Sequence, residues 1–275
     1  MGLLSMVRDP AGRAVRKHFG AQVKDVTVSE RKFPPRMRAD VQRALDELLA
    51  PSANTLQVAR FAGLHSAYMQ PISLTAMLAG SSAVILAPPQ FEEVDIGEAA
   101  PVRCLKSALW LVTHKGQKAA MVVAQGDERY CGGGPLLVEI ATTPANLALV
   151  DALFAALEKA VRESRSYRGK VLSFDAVSPY TGQSSGLKVH KLRPVSREQV
   201  ILPRTTLELL DRNILGFVQR REKIGALGQS RKKGLLFYGP PGTGKTHTLH
   251  YLAGALPRHT TLLISAEQVT LLGEY

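Results

Sequence analysis

One run of eight residues constrains this chain more than any other: Gly239-Pro240-Pro241-Gly242-Thr243-Gly244-Lys245-Thr246. It satisfies the pattern G-x-x-x-x-G-K-[ST], in which each fixed position has a separate job. Glycines at 239, 242 and 244 let the backbone turn tightly enough for consecutive N–H groups to point into one concavity that suits phosphate oxygens. Pro240 and Pro241 stiffen the entry. A helix starting at the loop's end adds the positive end of its dipole. Lys245 is placed to reach β- and γ-phosphates as a point charge, and the Thr246 hydroxyl to take one position on Mg²⁺. The expected cofactors are therefore ATP and Mg²⁺. The contact set runs from Gly239 to His247, with Lys245 as the catalytic cation and Thr246 as the metal ligand.

A chance match to the four fixed positions should occur in roughly one chain in a hundred of this size. The flanks reduce that further. Gly234-Leu235-Leu236-Phe237-Tyr238 is a short apolar run suited to a buried strand feeding the loop. Downstream, Leu249, Leu252 and Leu256 fall on one helical stripe, and Pro257 stops the helix. Strand, glycine loop and helix is the context such a motif requires.

Thr260-Thr261-Leu262-Leu263-Ile264 reads as the next strand, and Ser265 with Gln268 as a capping box for a helix. Upstream, Val200-Ile201-Leu202-Pro203 introduces a helix over about 204–223 with Leu207, Leu210, Ile214 and Phe217 on one face. A basic joint, Gly228-Gln229-Ser230-Arg231-Lys232-Lys233, leads into the strand. With these parts in this order, residues 200–275 resemble the front half of an AAA-type P-loop ATPase module. The resemblance covers about a quarter of the chain and extends to Ile264-Ser265-Ala266-Glu267-Gln268-Val269 and Gly273-Glu274. It implies ATP hydrolysis by a homo-oligomeric ring, usually a hexamer, coupled to chaperone-like remodelling of a protein substrate. Leu271 and Leu272 stand where the family usually carries a pore aromatic residue, and His247 and Thr248 where it tends to be apolar. The acidic pair, sensor asparagine and arginine finger of the family are expected beyond Tyr275, so that the ATPase module is read as truncated and the chain by itself as inactive. Two upstream apolar runs end in an acid, Leu136-Leu137-Val138-Glu139 and Val171-Leu172-Ser173-Phe174-Asp175. Both are read as strands with a surface carboxylate at the end.

The 45% hydrophobic content supports real cores, and 275 residues allow about two domains. Cys104 and Cys131 form neither a metal-ligand spacing nor a disulfide framework, and the first eight residues are too short in apolar length for a signal peptide. A cytoplasmic protein is expected. No Asp, Glu, Lys or Arg occurs from Phe61 to Phe91. Its best apolar window is shorter than the roughly twenty residues a spanning helix needs, so a buried helix followed by the strand Ala83-Val84-Ile85-Leu86-Ala87 is expected instead of a membrane span.

The net charge is +12, and nine Lys and Arg against three acids lie in the first 38 residues. Residues 1–35 are read as a flexible, solvated basic arm. The alternative reading is a nucleotide-sensing adaptor that touches nucleic acid or an anionic membrane through this basic surface. Residues 36–198 read as an α+β domain. An amphipathic helix carries Val41, Leu45, Leu48 and Leu49. Strands at 108–112 and 119–123 flank a hairpin turn at His114-Lys115-Gly116-Gln117. Strands follow at 136–142, 169–175 and 187–192. Thr143-Pro144 opens a long helix with Leu147, Val150, Phe154, Leu157 and Val161 inward. Gly132-Gly133-Gly134 reads as a flexible turn, and Ser166-Tyr167-Arg168-Gly169-Lys170 as a basic turn. The fold class is α/β: an N-terminal α+β domain, then the first β-α-β part of a P-loop ATPase from residue 199 to 275.

Overall fold

The computed structural model describes residues 9–50, 56–66, 71–125, 135–174, 187–266 and 269. The chain is mixed α/β and divides into two compact units. One is built from 1–166 with 174–188 and 264–275, the other from 167–173 with 189–263.

The first unit begins with α1 (Pro10–Phe19), a 3₁₀ turn (Gly20–Asp25), the strand β1 (Thr27–Phe33) and α2 (Arg38–Leu48). Then come β2 (Gln57–Ser66), α3 (Leu74–Ala79), β3 (Val84–Ala87), β4 (Phe91–Val94), β5 (Val102–Leu105), β6 (Ser107–His114), β7 (Gln117–Gln125), β8 (Leu136–Thr142) and α4 (Leu147–Glu163). Six strands form one antiparallel sheet in the order β1-β8-β7-β6-β2-β3, while β4 and β5 make a separate hairpin. Helices bury both faces. α2 and α4 pack Val41, Leu45, Leu153, Phe154 and Leu157 against Trp110, Val112, Met121, Val123, Val138 and Ile140. On the opposite face α1 and α3 pack Ala11, Val15, Phe19, Leu74 and Met77 against Leu109, Leu111, Ala120, Val122 and Ala141. This two-sided burial explains why β6, β7 and β8 are continuous apolar runs and do not alternate with polar residues. The expected hairpin is present. Lys115 (φ +49°) and Gly116 (φ +79°) both sit in the left-handed region, the two-residue turn whose twist matches the flanking strands.

Three expectations differ from the structure. Residues 10–33 are not a solvated arm. Ala11, Val15 and Phe19, spaced four apart, form a stripe that the surrounding cations hide, and it is buried in the core. Asp9 caps α1 by accepting from the Gly12 N–H (2.8 Å) and pairs with Arg16 (3.0 Å), while β1 pairs with β8 over seven residues. The charge-free stretch holds the expected buried helix and strand, α3 with Leu74 and Met77 inward and then β3, together with the second half of β2, for which the sequence carries no signal. Glu139 is not at the surface. It is 4% exposed in mid-strand, accepts from the N–H of Leu74 and the hydroxyl of Ser73, and so caps α3 from across the sheet. In α4, Leu147 is exposed and Leu149 and Leu153 face inward, because a 3₁₀ turn at Pro144–Asn146 rotates the helix start, and Thr143 makes no capping bond. Cys104 is a buried free thiol, whereas Cys131 and Gly132-Gly133-Gly134 lie outside the described residues. Among the described residues no helix is long and apolar enough to cross a membrane, and no His, Cys, Asp and Glu cluster could hold a metal ion.

Further along lie β9 (Val171–Phe174), β10 (Leu187–His190), α5 (Arg204–Leu210), a π-helical turn (Asp211–Leu215), α6 (Gly216–Ala226), α7 (Lys245–Ala255) and β11 (Thr261–Leu263). The predicted helix over 204–223 is thus interrupted by one π turn. Three short strands form a sheet in the order β10-β9-β11, with β11 parallel to β9. The core of the second unit is small: Val200, Leu210, Tyr251 and Leu252, with Leu202, Leu207, Ile214 and Phe237 half-buried around them.

Candidate functional site: the glycine loop and its anchors

The glycine loop leads directly into α7. Gly242 (φ +81°) and Gly244 (φ +80°) take left-handed backbone that a side chain would strain, and a Cβ built on either meets open space. Their role is therefore conformational. Gly239 is a position of close approach, where a Cβ would sit 3.1 Å from Thr243 Oγ1. Two hydroxyls tie the loop down. Thr243 donates to the Pro240 carbonyl (2.9 Å), and Thr248 donates to the Gly244 carbonyl (3.0 Å), reinforcing the first helical bond from the Thr248 N–H to the same oxygen (2.9 Å). Thr248 is 3% exposed. Sequence reasoning gave it no role, although hydroxyl back-bonding to the carbonyl four residues earlier is a regular habit of threonine in helices.

Lys245 is the first residue of α7, at a helix start with no side-chain cap. Its ammonium donates to the carbonyls of Gly239 and Pro240, each at 2.8 Å, and so folds back over the loop. Among the described residues no carboxylate pairs with it. Thr246 follows, with its side chain exposed, and Pro240 and Pro241 are exposed at the loop's outer rim. His247 does not turn toward the loop: its Nε2 lies 3.2 Å from the carbonyl of Gln199. That carbonyl belongs to a 3₁₀ turn (Arg197–Gln199) fixed by a capping box between Ser196 and Gln199. Arg197 pairs with Asp211 (2.8 Å) and lies over the Tyr251 ring (5.9 Å), joining this turn to the π turn and to α7. The loop thus has a framework on its helical side.

On its strand side the expectation fails. Residues 234–238 form no ladder, and Leu236 and Tyr238 are 90% and 95% exposed. A parallel strand needs neighbours on both edges and apolar cover on both faces. Among the described residues none lies beside this run, and β11 pairs with β9 instead. The predicted helical stripe is also rotated. Thr248, Tyr251 and Leu252 are buried, and Leu249 is 43% exposed, because the aromatic ring at 251 and the small core of Val200 and Leu210 draw the neighbouring face inward. Gln268, Leu271, Leu272 and Gly273-Glu274 lie outside the described residues.

Two left-handed glycines open to solvent, a helix start without a side-chain cap and a cation held, among the described residues, by carbonyls come together here, and these are residue types compatible with a polyphosphate. No protein-family description matches the chain. A stretch of 41 residues, 15% of this chain, is 51% identical to the ATP-dependent zinc metalloprotease FtsH 2 of Thermoanaerobacter sp.. The chain spans only 8% of that relative's length, and 41 residues is less than a domain.

Proposed function

We propose that residues 239–247 bind ATP with Mg²⁺ as part of an AAA-type P-loop module occupying residues 199–275, and that the first unit, with α1 and β1 included, forms the domain that selects a protein substrate. In this reading ATP hydrolysis in a cytoplasmic ring of like subunits drives chaperone-like remodelling of that substrate. The observation that carries it is Lys245, an ammonium at the start of α7 held on two loop carbonyls with no carboxylate partner among the described residues.

Carbonyl oxygens compensate a cation only partly, so β- and γ-phosphate oxygens would displace Gly239 and Pro240 from the ammonium in exchange for stronger charge-assisted bonds. Gly242 and Gly244 keep that part of the backbone clear of side chains, and the Thr246 hydroxyl is exposed at the second position of the helix, where a metal ligand is needed. Bound magnesium would supply charge neutralisation across the phosphates. The short identity to an ATP-dependent protein supports the nucleotide and says nothing of the substrate.

Calorimetric titration of the chain with ATP and MgCl₂ tests the reading. A saturable signal lost in Lys245→Ala is expected. No signal, or an equal signal in the variant, would overturn it.

A further inference from the structure

At the far end of the first unit's sheet, β1 is an edge strand: β8 pairs with one side of it, and no strand among the described residues pairs with the other. Every second residue of such a strand presents its N–H and C=O outward, a template for another extended chain. Beside the end of β1 lies a groove of about 360 Å³. Phe33, Met37 and Val161 supply its apolar walls, where the C-terminal half of α4 passes the turn after β1. Arg31, Lys32 and Arg162 stand round it with a single acid, Glu158.

Three cations and one acid thus line the groove. Glu158 pairs with Arg31 (2.9 Å), whose guanidinium also lies 5.1 Å over the Phe154 ring. Lys32, 64% exposed, pairs with Glu30 of its own strand (3.0 Å), an exposed contact that an incoming carboxylate can exchange with. An edge strand guarded by cations resists pairing with a second copy of itself, since like charges would meet. The same cations attract the opposite sign.

We infer that β1 and this groove form a docking site for an acidic extended peptide, which adds as a strand to β1, seats one apolar side chain between Phe33, Met37 and Val161, and sets a carboxylate against Lys32. Main-chain bonds to the edge supply the general affinity, and the groove and its cations supply the selection. The inference does not rest on nucleotide binding by the glycine loop.

The test uses the full chain and a short fluorescein-labelled, N-acetylated peptide of alternating Glu and Val with one central Leu, followed by fluorescence anisotropy. Saturable binding tighter than about 1 mM is expected. Lys32→Glu should weaken it about fivefold, as for reversal of a rim charge, with unchanged thermal unfolding. A peptide N-methylated at alternate residues should not bind, since it cannot pair with the edge. Equal binding of the N-methylated peptide, of a counterpart with Lys in place of Glu, or by Lys32→Glu would overturn the inference. So would no binding at all. Self-association of the chain that Lys32→Glu abolishes would also overturn it, by showing the edge to be an interface between copies.

Discussion

Lys245 and Glu139 are both charged residues beside a helix start, and their surroundings give them opposite fates. Lys245 lies at an accessible loop, so removing it should leave the fold intact. Lys245→Ala should lower triphosphate affinity about tenfold or more, as expected for loss of a charge-assisted contact, at unchanged melting temperature. Thr246→Ala should weaken binding with Mg²⁺ and leave metal-free binding nearly unchanged, which titrations with and without EDTA would separate. Glu139 is buried, and desolvation raises its pKa above the ordinary value of 4.5, opposed by the bonds from Leu74 and Ser73. The folded state therefore holds this proton more tightly than the unfolded chain does. Its contribution to stability is complete below 4.5 and is lost as pH rises through the raised folded value. Glu139→Gln keeps an acceptor for α3 and removes the charge. Its melting temperature should gain on the parent as pH rises from about 4 to 7, and a constant difference would refute the burial effect. Glu139→Leu, which strands the Leu74 N–H, should cost about 1–3 kcal/mol in urea unfolding.

Among the elements, those whose local signals agreed with their surroundings were legible in the sequence. The β6–β7 hairpin had apolar runs and a turn dipeptide that tolerates positive φ, and it forms where the residues place it. A Cβ at Gly116 would touch nothing, so Gly116→Ala should cost only the backbone conformation, about 1 kcal/mol, measurable by chemical unfolding. A much larger loss would mean that the turn is held by contacts. Contributions from distant partners were illegible. α3 is six residues long and has a local cap in Ser73, which accepts from the Thr75 N–H (3.2 Å), but its second acceptor, Glu139 on β8, lies sixty-five residues from Leu74. β1, with the sequence Thr-Val-Ser-Glu-Arg-Lys-Phe, reads as solvated because it is an edge with one face partly wet. Residues 234–238 show the reverse failure. Their apolar pattern is that of a central parallel strand, but pattern alone supplies no neighbours to pair with it. The loop's glycines and lysine needed no distant partner to be recognised. Its anchors, Thr248 and the Gln199 carbonyl, did.

Across the whole molecule, burial is unevenly divided. The first unit encloses its sheet between two sets of helices with two large apolar clusters, whereas the second holds four buried apolar residues in its core. Local opening free energy follows buried apolar contact and main-chain pairing, so the units should differ in amide protection. Amides of β6, β7 and β8 should exchange slowest. Those of 234–239 should exchange near the rate of an unstructured chain, since they form no ladder and only Phe237 and Gly239 are partly covered. Triphosphate binding would act on this second unit by mass action, stabilising whatever conformation holds the ligand. At about a hundredfold excess over the dissociation constant that amounts to about 2.7 kcal/mol, enough to slow exchange in α7 and the glycine loop by up to roughly a hundredfold. Hydrogen exchange with and without ATP and Mg²⁺, in the parent chain and in Lys245→Ala, would locate the effect. Protection confined to residues 197–263 and absent from the variant is the expected pattern. Protection spread evenly over β6–β8 would mean that nucleotide acts somewhere other than the glycine loop.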